Sequence, residues 1–221
     1  MRIFITGFKH SGTTLMMEII RAHPQVGCIE DELGYIEYDK PKEWMVMMAK
    51  KMVPDLKRYS WGEKLPWGTR KNDKKGKRII NDISKWLKFY RKKARVIQML
   101  RHPIDVSLST YPLHIKRTNI SEKEFEFSMS SIPRVIDFVN KDNRCAVVVY
   151  EGLLMYPNEC LKNIFEFLNL RADDKIIEKV MNTKFMKFGK INPERAFAHR
   201  KLNLDTKVDY DSLIGRIKNK L

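Results

Sequence analysis

A short apolar run, Ile3–Thr6, leads at once into Gly7-Phe8-Lys9-His10-Ser11-Gly12-Thr13-Thr14 and then into the helical stretch Leu15-Met16-Met17-Glu18-Ile19-Ile20. No other feature restricts the fold as strongly. A strand that turns through glycines into an amphipathic helix starts a βα unit, and such units build parallel sheets through right-handed crossovers. Val96–Leu100 and Ala146–Tyr150 are further runs with little polar alternation, as expected of strands buried on both faces. Val26–Ile29 reads as the second strand. Helical faces lie between and after these runs: Ile79, Ile80, Ile83, Trp86, Leu87 and Tyr90; Ile132, Val135, Ile136 and Val139; Leu161, Ile164, Phe165 and Leu168; Ile176, Ile177 and Val180. The expectation is an α/β, P-loop-like three-layer sandwich, with a central mostly parallel sheet and helices on both faces. Ligands of such sheets bind at the carboxyl ends of the strands, so the residues just after each run carry the chemistry.

The 221 residues suit one domain spanning 1–221, with residues 170–221 as C-terminal helices in which Lys187, Lys190, Arg195, His199, Arg200 and Lys201 read either as a basic lid over a ligand or as solvated surface. Lys plus Arg is 43 against 27 for Asp plus Glu, a formal charge of +16, which favours anionic partners. The basic run Arg70–Arg78 reads as an exposed loop. Three cysteines without CxxC spacing, Cys28, Cys145 and Cys160, are neither a disulfide framework nor a zinc site. No apolar run is long enough to span a bilayer, and the first residues read as a strand rather than a signal peptide. A cytoplasmic location and no membrane span are the expectations.

A glycine turn before a helix N-terminus offers backbone N–H groups and a positive dipole end to an anion. Its Gly-x4-Gly spacing matches a nucleotide P-loop, but Thr13 stands where an NTPase has the lysine that reaches the β- and γ-phosphates. The loop therefore suits a smaller load than a metal-bound triphosphate, held by amides, the Ser11, Thr13 and Thr14 hydroxyls and an upstream cation. After the Val96–Leu100 run comes Arg101-His102-Pro103-Ile104-Asp105-Val106-Ser107-Leu108-Ser109. Pro103 suits the first turn of a helix, which returns Ser109 to the Arg101 side. A guanidinium fork with a hydroxyl fits a phosphate monoester. His102 reads as a surface histidine beside the proline.

Ser11-Gly12-Thr13-Thr14 after a basic residue resembles the 5′-phosphosulfate loop of sulfotransferases that use 3′-phosphoadenylyl sulfate (PAPS). The longer stretch to Leu15-Met16, with Ala22-His23-Pro24-Gln25-Val26-Gly27-Cys28, is similar to tyrosylprotein sulfotransferases and their bacterial relatives. Arg101, Pro103, Asp105, Val106 and Ser109 match that family's 3′-phosphate motif. Trp61-Gly62-Glu63-Lys64-Leu65-Pro66 resembles its Trp-Gly-x-Lys-x-Pro segment, and the stretch from Tyr150-Glu151 to Phe167-Leu168-Asn169-Leu170 resembles its late strand and following helix, with Asn169 at the usual left-handed glycine. The likeness runs over about residues 3–170.

The resemblance implies a PAPS-dependent sulfotransferase working by in-line displacement on a hydroxyl acceptor, carbohydrate and lipid among the candidates, with no metal. It implies a donor site of Lys9, His10, Ser11, Gly12, Thr13, Thr14, Arg101 and Ser109, with the cation before Ser11 supplied by His10 or by Lys9. Lys64 then lies against the transferring sulfuryl group, and Asp31 or Glu32, in the acidic run Glu30-Asp31-Glu32, takes the acceptor proton. His23 and His114 are other bases to weigh, with His23 better placed for packing. A degenerate P-loop kinase, or a non-catalytic binder of nucleic acid or acidic glycan, are the competing readings. No specific nucleic-acid partner is expected.

Overall fold

The computed structural model describes residues 1–8, 10–31, 60–67, 84, 87–88, 91–109, 122–185, 189–196, 210–218 and 220–221. Five strands form one sheet: β1 (Arg2–Phe8), β2 (Val26–Asp31), β3 (Ser60–Trp67), β4 (Ala94–Leu100) and β5 (Cys145–Val149). Their order is β2-β3-β1-β4-β5, and all four pairings are parallel. The described helices are α1 (Thr13–Arg21), α2 (Pro103–Ser109), α3 (Glu122–Lys141), α4 (Tyr150–Met155), α5 (Pro157–Phe167), α6 (Asp174–Met181) and α7 (Tyr210–Gly215).

Alternation along the strands divides the core into two apolar layers. Ile3, Ile5, Ile97, Met99 and Val148 pack with Leu15, Met16, Ile19 and Ile20 of α1 and with Leu161, Ile164 and Phe165 of α5. Phe4, Phe8, Val96, Leu100 and Val147 pack on the other face with Ile132, Val135, Ile136 and Val139 of α3. The expected three-layer sandwich is thus present, and the three helical faces of α3, α5 and α6 point inward as their spacing requires. Of the face anticipated over Ile79–Tyr90, Leu87 is described and is buried; the others, and the basic run Arg70–Arg78, lie outside the described residues.

Local chemistry sets the helix ends. Asn169, at φ +53°, closes α5: its N–H bonds to Glu166 O at 2.9 Å, and Leu170 N–H to Phe165 O at 2.8 Å, the paired bonds of a Schellman motif. Asp173 caps α6 by accepting from Ile176 N–H at 3.2 Å. The C-terminal residues dock on the α3 side. Asn140 donates to Arg216 O and accepts from Lys218 N–H, each at 2.9 Å, and Leu221 N–H bonds to Val147 O of β5 at 2.9 Å. Among the described residues no helix is long and apolar enough to cross a membrane.

Two expectations about strands change. β2 runs on through Glu30 and Asp31, which pair in register with Glu63 and Lys64, so the acidic run begins inside the strand rather than after it. Tyr150 leaves β5 and opens α4. β3 went unread as a strand, because Trp61-Gly62-Glu63-Lys64-Leu65-Pro66 has neither β-branched residues nor alternation; pairing on both sides holds it extended. Ile97, fully buried in β4, gives a test of the packing. Ile97→Ala is expected to cost about 2–5 kcal/mol in urea unfolding, and a loss under about 1 kcal/mol would mean that this layer is loosely packed.

Candidate functional site

The glycine turn closes on itself. Both the amide and the Oγ of Ser11 donate to Phe8 O, at 3.0 and 2.7 Å, so this buried hydroxyl spends its hydrogen on shaping the turn. His10 adopts φ +67°, and its carbonyl accepts from Arg101 Nη1 at 3.1 Å. Gly12, at φ +95°, has no room for a side chain: a Cβ there would lie 2.4 Å from Cδ2 of the Tyr150 ring. At Gly7 a Cβ would come within 2.6 Å of Ser11 Oγ and 2.7 Å of Met99 O. Helix α1 then starts at Thr13 with no acid in its first turn, leaving its positive end without a negative side chain of its own.

Two cations flank this turn, one from each strand beside β1. Lys64 of β3 pairs in register with Ile5, is 3% exposed, and donates from Nζ to Thr14 Oγ1 at 3.3 Å. Holding an ammonium group nearly out of water, at the positive end of a helix, costs desolvation and repulsion that a bound anion would offset. Arg101 follows β4 directly, with its guanidinium 4.5 Å from the centre of the Tyr150 ring. Tyr150 thus stands between Gly12 and Arg101 as a rigid spacer. Burial raises its phenol pKa above the ordinary value.

Behind Arg101 lies a buried polar cluster. Glu151 is 2% exposed, and its Oε1 accepts from His102 N–H at 2.9 Å. Burial pushes its carboxyl up to about 7, against the opposing pull of its hydrogen bonds and of Arg101. His102 is buried and not on the surface as its place beside Pro103 led us to expect. Its Nδ1 accepts from Ile104 N–H at 3.4 Å, in the first turn of α2, and its ring meets the Tyr210 ring edge-on, centroids 4.9 Å apart. The α2 turn and the C-terminal helix close over it. Burial raises the Tyr210 phenol well above its usual value.

The structure therefore gathers His10, Ser11, Gly12, Thr13, Thr14 and Arg101 at the carboxyl ends of β1 and β4, and Lys64 reaches the same place from within β3. Asp31 is the register partner of Lys64 across the β2–β3 ladder, and Ser109 ends α2. Lys9, Glu32, His114, Lys187, His199, Arg200 and Lys201 lie outside the described residues. Lys190 and Arg195 are exposed, and Arg195 lies near enough to Tyr150 to lower its phenol pKa slightly against the larger effect of burial. His23 has the packing role read from its His-Pro turn: Nε2 donates to Arg171 O at 2.8 Å, Nδ1 accepts from Gln25 N–H at 3.1 Å, and the ring lies edge-on to Phe165. Desolvation lowers its pKa. Cys145 is buried, and its thiol is pushed up to about 12. From the sequence, Tyr150 and Glu151 read as core packing or as a brace for the floor of the site; the parts played by Tyr210 and His102 were not legible there.

Residues 1–206 match the sulfotransferase domain. The chain belongs to the sulfotransferase family. The match passes residue 170, where the likeness was expected to stop. Protein-tyrosine sulfotransferase A of Caenorhabditis elegans is 24% identical over 200 residues, covering 79% of this chain and 51% of that protein. The chain thus spans about half the length of that curated relative. The sulfotransferase domain from the curacin biosynthetic pathway superposes with a TM-score of 0.66 at 14% identity, covering 97% of this chain and 96% of that one. A mouse sulfotransferase solved with PAP superposes with a TM-score of 0.56 at 17% identity, covering 99% and 84%. These likenesses establish the sulfotransferase fold.

The Glu151 carboxyl predicts a pH dependence. Unfolded, it releases its proton near 4.5; folded, near 7. Between these values the native state keeps a proton that the unfolded chain has lost, so its stability falls as pH rises. The melting temperature of the protein, relative to Glu151→Gln, is expected to decline from about pH 4.5 to pH 7 and then level off. A difference that stays constant with pH would show that the carboxyl is ionised throughout.

Proposed function

We propose that this chain transfers a sulfuryl group from PAPS to a hydroxyl acceptor. The observation that carries the proposal is the bracketing of one glycine turn by Lys64 and Arg101 from the two strands beside β1. At Gly7 and Gly12 the missing Cβ lets Ser11, Met99 and the Tyr150 ring close against the turn and fix its shape. The family match and the PAP carried by the mouse relative agree with this reading.

The roles follow from position. The amides at the start of α1 and the Thr13 and Thr14 hydroxyls would hold the 5′-phosphosulfate, with His10 or Lys9 as the adjacent cation. Arg101, with Ser109 at the end of α2, would take the 3′-phosphate. When bound, PAPS supplies an electrophilic sulfur and a phosphate leaving group. Asp31 or Glu32 accepts the acceptor's hydroxyl proton as its oxygen bonds to sulfur. The sulfur–oxygen bond to phosphate breaks in line, and its electron pair leaves with adenosine 3′,5′-bisphosphate. Lys64 and the α1 N-terminus stabilise the negative charge that grows on that bridging oxygen. Carbohydrate and lipid alcohols are the acceptor classes to assay first.

Calorimetry should show adenosine 3′,5′-bisphosphate binding, with Arg101→Ala weakening it by about ten- to a hundredfold. Binding of Mg·ATP alone would favour the kinase reading. An unaffected Arg101→Ala, with steeply salt-dependent DNA or heparin binding, would favour the polyanion binder. Lys64→Ala is expected to lower kcat by about 10²–10³ while the bisphosphate affinity changes little; retained turnover would remove Lys64 from the mechanism.

A further inference from the structure

The arginine proposed for the donor site is followed by a histidine held from three directions by buried groups. The backbone N–H of His102 donates to Glu151 Oε1 at 2.9 Å, its Nδ1 accepts from Ile104 N–H at 3.4 Å, and its ring is packed edge-on by Tyr210 at 4.9 Å. Glu151, His102 and Tyr210 are each at most 5% exposed. One contact therefore fixes the peptide that leaves Arg101, another fixes the start of the helix that ends at Ser109, and the third comes from α7, more than a hundred residues further along the chain.

We infer that Glu151 and Tyr210 are positioning residues that act through His102 to aim Arg101 and the α2 helix at the 3′-phosphate of the donor. The inference rests on the proposed PAPS reading and deepens it. Arg101 can be aimed only if the peptide after it cannot pivot. β4 holds the chain before Arg101, and Glu151 holds it after. A carboxyl oxygen that accepts from a backbone N–H is a directional restraint in a site closed to water. The ring of Tyr210 prevents the imidazole from swinging away, which would release Ile104 N–H and unseat the first turn of α2. The groups facing Glu151 are Arg101 and His102 from the β4–α2 turn, Asp105 from α2 and Tyr210 from α7, so two distant segments meet at one restraint. The half-buried cation Arg101 is therefore only as well placed as the buried groups beneath it.

The test is the ratio of dissociation constants for adenosine 5′-monophosphate and adenosine 3′,5′-bisphosphate, which isolates the 3′-phosphate. Glu151→Ala and Tyr210→Leu are each expected to shrink this ratio by about tenfold with the monophosphate affinity unchanged. Glu151→Gln, which keeps an acceptor oxygen for His102 N–H, and Tyr210→Phe, which keeps the ring, should restore it to within about threefold. General loosening of the fold would instead weaken both ligands together. Should Glu151→Ala fail to fold, Tyr210→Leu carries the same measurement. A ratio unchanged in the folded truncation variants, or loss of both affinities in parallel, overturns the inference. A wild-type ratio near one, or one indifferent to Arg101→Ala, overturns the donor reading itself.

Discussion

The site depends on β1 lying between β3 and β4 in a parallel sheet. Parallel pairing brings the carboxyl ends of all three strands to one edge, so whatever follows or ends each strand is presented together. β1 supplies the glycine turn and the α1 N-terminus, β4 supplies Arg101 just past its end, and β3 supplies Lys64 from within the strand, by the reach of its side chain. Insertion of β3 between β1 and β2 is what brings Lys64 to Thr14, fifty residues away in sequence. If β1 paired directly with β2, the same residues would exist without a shared site.

Small residues and one large ring then set the spacing. Gly12 is tolerated in its left-handed conformation and lets the Tyr150 ring come against the backbone. The opposite demand falls on Tyr150, whose aromatic face supports the guanidinium of Arg101. The position of the Arg101 guanidinium against the turn is thus set by a rigid ring rather than by a flexible arginine stem alone. A site built this way discriminates by geometry, because Arg101 cannot follow a mispositioned anion far without leaving the ring that supports it.

Much of this was legible because period and punctuation report on local structure. The β1–turn–α1 unit, the β4 and β5 runs and the inward faces of α3, α5 and α6 follow from apolar spacing, and Asn169 closes α5 as its position implies. β3 was not legible as a strand, since a glycine, a lysine and a proline within eight residues oppose strand propensity, and only its two neighbours make it one. His102 was misread for a related reason. A histidine beside a proline is an exposed turn residue by local rule, but here α4 and α7 cover it. Tertiary contact, absent from any short window, decided both cases.

The net charge of +16 also takes on a narrower meaning. A general positive field draws anions to the surface but does not choose among them, and it weakens as salt is added. Lys64 is a different kind of cation, nearly enclosed and aimed at a helix N-terminus, where water screens it poorly. The buried Glu151 carboxyl sits behind Arg101 and, with its pKa raised to about 7, offsets the local positive charge only in part near neutral pH. An acid beneath the arginine repels an anion weakly at that range but anchors the peptide that carries the guanidinium. Placement of the cation then outweighs the loss in raw potential, because a charge-assisted bond falls off steeply with misalignment while the long-range term varies slowly with distance.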